Sequence, residues 1–173
     1  MDPGGQTDGM GNGTGRAVDE NPLVAISSAL PLVAYGCILL LRTPMKRPSN
    51  EMVTRNALAD LCWVRGRWLL QFLLDRTDGL GAADYVDGWE LADDQLRQRM
   101  ERDLDQTSDV VSHLLVAPAI DRRLAETMPD DLVVGFRQFM AEAPDDSPVR
   151  EHLAEPIAVS ARLLAQPDAA YYP

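Results

Sequence analysis

The sequence predicts an all-α fold, a compact bundle of about five helices behind a disordered N-terminal tail. Three observations lead there. Apolar residues recur at three-and-four spacing through most of the chain, and no stretch alternates with the period of two that a half-buried strand requires. Prolines and glycines gather in short clusters between the periodic stretches. The 173 residues, 46% of them hydrophobic, suffice to bury one core without disulfide or metal staples and are too few for two domains.

Residues 1–21 are mostly Gly, Asp, Thr, Asn and Gln with few apolar side chains, so ordering them would cost entropy that no burial repays, and a disordered tail is expected. The tail has neither the basic start nor the cleavage pattern of a signal peptide. Residues 22–166 form the predicted bundle domain. Its first segment, Pro22 to Leu41, is uncharged for twenty residues and is followed by Arg42, Lys46 and Arg47, so it has the length and flanks of a membrane span. The preferred reading is a core helix over Ala29 to Arg42, capped by Ser28 with Pro31 in its first turn, because the remaining helices are amphipathic and need a central partner.

Thr43 to Asn50 holds two prolines and ends that helix. A second helix starts near Ser49 or Asn50 and ends near Arg76, with an apolar stripe through Leu58, Leu61, Cys62, Leu69, Phe72 and Leu73. Thr77 to Asp87, with two glycines and three aspartates, reads as a loop crossing from one end of the bundle to the other, anchored by Tyr85 and Trp89. A third helix is predicted from about Glu90 to Val116, striped by Leu96, Met100, Leu104, Val111, Leu114 and Leu115. Asp130 then caps a shorter helix with Leu132, Val133, Phe136, Phe139 and Met140 on its apolar face. Ser147 and Pro148 start a last helix to about Ala165, interrupted or kinked at Pro156, and residues 167–173 are a loose end.

The net charge of -11, from 27 Asp plus Glu against 16 Lys plus Arg, repels phosphate backbones and disfavours RNA as a partner. Cys37 and Cys62 sit among apolar neighbours, as reduced, buried thiols of a cytoplasmic protein would. Together with His113 and His152 they offer no zinc-ligand spacing, so neither a metal nor a cofactor is predicted. No phosphate-binding glycine loop, nucleophile elbow or HExxH pattern occurs.

Projection at about 100° per residue puts Arg67 opposite the stripe of its helix and Arg65 inside it. His113 falls opposite the stripe of the third helix, beside Arg102, Gln106 and Asp109. Were these polar faces to meet, Arg67, His113 and the loop acid Asp84 would line one cleft, suited to phosphate or proton-transfer chemistry. The plainer assignments are a solvated histidine, ion-paired arginines, a solvated acidic run from Glu90 to Asp105, and packing or interface roles for Trp63 and Trp68.

The segment Arg65-Gly66-Arg67-Trp68-Leu69-Leu70-Gln71-Phe72-Leu73 resembles the H-A-R-x-L-x-x-F-L helix of bacterial proteins similar to the HEPN (higher eukaryote and prokaryote nucleotide-binding) superfamily. Ala83-Asp84-Tyr85-Val86 with Trp89 resembles that group's inter-helix loop, and Asp109-Val110-Val111-Ser112-His113-Leu114 its later helix, so the likeness runs from Asn56 to Val116. The resemblance implies a helical bundle, often dimeric, in a toxin–antitoxin or phage-defence setting, with Arg67, Asp84 and His113 as the matching positions. Ribonuclease members carry an Arg a few residues ahead of the His; here the nearest preceding one, Arg102, is too distant, and Arg65 replaces the usual His. The expected function is therefore association, as a homodimer or with a protein partner. The alternatives are a metal-independent ribonuclease using Arg67 and His113, and a membrane protein anchored by residues 22–41.

Overall fold

The computed structural model describes residues 21–42, 49–112 and 122–167, with side chains for all of these except 49–52, 54, 55 and 109–112. Among the described residues there are five α-helices and no strand: α1 (Pro22–Arg42), α2 (Ser49–Leu73), α3 (Asp94–Ser112), α4 (Arg122–Glu142) and α5 (Pro148–Ala165). The expected disordered tail lies outside them apart from Asn21, as does the expected loose end beyond Pro167.

α1 begins seven residues before its expected start. The Asn21 carboxamide oxygen accepts from the Leu23 amide at 3.0 Å and is the N-terminal cap, whereas the Ser27 and Ser28 hydroxyls donate back to the Val24 carbonyl. Pro31 is therefore interior to the helix rather than in its first turn. Burial of Leu23, Ile26, Ala29 and Leu30 outweighs the backbone bond that Pro31 cannot donate. α1 is long and apolar enough to cross a membrane, and more than half of its most apolar stretch is buried among α2, α4 and α5.

α2 runs antiparallel to α1. Gly36 lets the helices close, since a Cβ there would run into the Cys62 sulfur, and one at Gly66 would reach Val33 of α1 and Met128 of α4. The end of α2 is a Schellman turn: the Arg76 amide bonds to the Gln71 carbonyl at 2.8 Å and the Asp75 amide to that of Phe72 at 3.3 Å. Asp75 holds the left-handed position, φ 53°, where glycine is usual.

The loop does not cross to the other end of the bundle as expected: α4 lies parallel to α2 and α3 antiparallel to α4, so α3 starts at the end where α2 stops, and Tyr85 and Trp89 anchor the loop there. Trp89 Nε1 donates to the last α2 carbonyl, Leu73, at 2.7 Å, while its ring meets Phe139 edge-on at 5.3 Å. Tyr85 packs on Phe72 and Phe139, and Phe72 stacks on Phe136 at 6.0 Å, so one aromatic cluster joins loop, α2 and α4.

α3 starts at Asp94, not Glu90, because Asp93 caps it by accepting from the Gln95 and Leu96 amides. Its expected continuation to Val116 lies outside the described residues. α4 starts at Arg122, so Asp130 and Pro129 are interior and Asp130 is no cap. Leu124, Ala125 and Met128, all buried, extend the apolar face by nearly two turns ahead of Asp130. α5 follows expectation at both ends: Ser147 Oγ accepts from the Val149 amide at 3.3 Å. It runs unbroken through Pro156, whose carbonyl takes a bond from the Ser160 hydroxyl at 2.8 Å.

α4 lies parallel to α2 and packs beneath both α1 and α2; Gly135 admits Met100 and Leu73 side chains to its surface. α3 lies antiparallel to α4 on the far side of α2, and α5 flanks α1.

Candidate functional site

Arg67 is half-buried on α2, in a row with Asp60 and Trp63 at helical spacing. Its Nε, the Trp63 Nε1 and the Asp60 Oδ1 are shielded from solvent without a hydrogen-bond partner. Arg65, expected within the buried stripe, is exposed. The buried arc of α2 is centred instead on Ala59, Cys62, Trp63, Gly66, Leu69, Leu70 and Leu73, and Leu61 falls outside it.

Asp84 ends a short 3-10 turn, Ala82–Asp84, and its Oδ2 accepts from the Gly81 amide at 2.7 Å. That carboxylate is engaged in holding the turn. Among the described residues no hydrogen bond or ion pair links it to Arg67. His113 lies outside the described residues.

Part of the polar side of α3, with Arg99, Asp103 and Gln106, turns toward α4, while Arg102 is exposed and donates to the Gln98 carbonyl of its own helix at 3.3 Å. Arg99 makes a two-pronged contact with Asp131, Nε to Oδ2 at 3.0 Å and NH2 to Oδ1 at 2.9 Å. Asp131 is the leading reason the Arg99 guanidinium titrates above its ordinary range. Arg123 bonds to Gln106 at 2.6 Å and lies 3.6 Å from Asp103, a residue only 1% exposed. The acidic run is thus partly an inter-helix seam, which residue spacing within α3 could not disclose.

Where α2, the loop and α3 meet there is a cleft of about 210 Å³ lined by Leu73, Trp89, Glu90, Arg97 and Glu101 among others. Its polar groups pair with each other or with near neighbours: Arg97 donates to the Leu91 carbonyl at 2.9 Å and lies 3.5 Å from Glu90, and Glu101 binds Arg76 at 2.8 Å. Such a cleft closes a seam and leaves little for a ligand to satisfy. No group of three or more His, Cys, Asp or Glu among the described residues could hold a metal ion. Cys37 and Cys62 face each other across α1 and α2, and their hydrogen bond, with burial, pushes the Cys37 thiol well above its ordinary range.

The unpaired surface lies elsewhere, on the side of α1 and α2 away from α4. Along α2, Val53 (68% exposed), Ala57, Leu61, Val64 (48% exposed) and the half-buried Trp68 repeat at intervals of four, four, three and four. On α1, Val24, Leu32 and Tyr35 turn outward at the same kind of spacing, and the helix has no charge before Arg42. In a chain of net charge -11, this face carries only Asp60, Arg65 and Arg67 at its described margins. An apolar patch with charge kept to the rim has the composition of a protein interface. The signal was present in the sequence, because α2 carries apolar residues on both faces.

No family model, no curated protein and no solved structure matches the chain.

Proposed function

We propose that the protein acts by association, burying the outward face of α1 and α2 against a second copy of the chain. The carrying observation is the continuous apolar stripe from Val53 to Trp68, beside the outward residues of α1, on a helix pair whose inward faces already fill the core. On this reading α1 is the central helix of a soluble cytoplasmic protein, supported by its packing against three other helices. The HEPN-like assignment and a toxin–antitoxin or phage-defence role belong to the same proposal and rest on the Arg65 to Leu73 segment. The ribonuclease reading has less support, since Asp84 is engaged in its own turn and no hydrogen bond or ion pair joins it to Arg67.

Light scattering on the purified chain tests this. Associated wild type, dispersed to monomer by Leu61→Asp with its helical circular dichroism intact, is the expected result. Val134→Asp, a charge on an isolated exposed residue of α4, should change nothing. Mass unaffected by Leu61→Asp would refute the proposal.

A further inference from the structure

The α2 stripe has the spacing of a heptad seam, with Leu61 and Trp68 at one core position and Ala57 and Val64 at the other. In an antiparallel pairing of two such helices each core layer joins unlike positions. Placing Leu61 against the second copy's Val64 automatically places Ala57 against the second copy's Trp68. The smallest side chain of the stripe then faces the largest, so both layers fill to similar volume.

The same register decides the charges. Asp60 and Arg67 share one flank of the stripe, each immediately before a core residue, and antiparallel pairing brings equivalent flanks together. Asp60 of each copy thereby meets the other copy's Arg67, twice per dimer. Neither has an intrachain ion pair among the described residues, and both side chains are only half-buried, so each keeps a part that a second copy can reach. Parallel pairing would instead stack Trp68 on Trp68 and Ala57 on Ala57, and would set Asp60 near the second copy's Arg65 with no acid for Arg67.

The geometry points to a two-fold dimer in which α2 packs antiparallel on α2 of a second copy, Leu61 on Val64 and Ala57 on Trp68, with Asp60 and Arg67 as the reciprocal ion pair that sets the register. The α1 stripe, through Leu32 and Tyr35, joins the same face and makes the contact a four-helix layer. This rests on the association reading and adds the arrangement and the residues that specify it.

Sedimentation equilibrium of the full chain tests the arrangement by charge exchange. Asp60→Arg and Arg67→Asp should each raise the dimer dissociation constant by about tenfold or more, and the double variant should return it to within about threefold of wild type. Ala57→Trp, at an exposed position that leaves the monomer fold untouched, supplies a second test with opposite signs. In this register it collides with the second copy's Trp68 and weakens the dimer, whereas any looser apolar contact would gain from the added surface. A dimer still abolished by Leu61→Asp but not rescued by the double exchange, or strengthened by Ala57→Trp, would overturn the register and leave association standing. A monomer under all conditions would remove both.

Discussion

Between α3 and α4 the contacts that cross the seam are largely charged, Arg99 to Asp131 and Arg123 to Asp103 and Gln106. Between α1 and α2 they are thiols and hydrocarbon, Cys37 at Cys62 and Val33 at Gly66. The outward sides differ in the same sense: α3 presents Arg102 and Asp105, α2 presents Leu61 and Val64. Charges need geometry and partners, and α3 finds them within the chain. Apolar surface needs only cover, and on α1 and α2 part of it is still in water.

The contrast can be broken from its shared centre outward. Phe136→Ala empties the aromatic cluster beneath both regions and should cost about 3–5 kcal/mol in urea denaturation. Asp131→Ala attacks the charged seam alone. It should cost about 1–3 kcal/mol, below the cost of breaking a fully buried pair because Arg99 keeps access to solvent, and leave the dimer constant unchanged. Equal losses of dimer from Asp131→Ala and Leu61→Asp would erase the distinction between the two sides.

Smaller changes sharpen it. Asp75→Gly relieves a side chain held at positive φ and should stabilise the end of α2 by roughly 0.5–1 kcal/mol, read as a higher Tm. Asp130 titrates above its ordinary value because of burial and then the neighbouring Asp131 charge. Its favourable contribution is complete below the unfolded value and disappears as pH rises through the folded one, so the ionised carboxylate opposes folding at neutral pH. Asp130→Asn should raise Tm slightly at neutral pH, and the gain should shrink toward nothing near about pH 3.

Much of the fold was legible where one local signal was decisive. Ser147 followed by Pro148 fixed the start of α5, and Trp89 anchors the Gly and Asp loop after Arg76, although that loop stays at one end of the bundle. Local signals misled where burial overrode them. Ser28 and Asp130 have the chemistry of caps, yet each sits inside a helix whose preceding turns bury Leu23 and Ile26, or Leu124 and Met128. The proposed site was less legible. A single projected stripe through Leu58 and Leu73 assumed one buried face, while α2 packs against α1, α3 and α4, so Trp63 is core and Leu61 is surface. Asp84 appeared available in the sequence because the turn it closes is formed only once Gly81 is placed against it.

The most direct test compares the two sides in one sample by hydroxyl-radical footprinting of the full chain, concentrated and then diluted. The account predicts that Tyr35, Leu61, Val64 and Trp68 are protected in the concentrated protein and become reactive on dilution, while Leu80 and Val134 react alike throughout. Equal reactivity of Leu61 and Val64 at every concentration, in step with Val134, would contradict it.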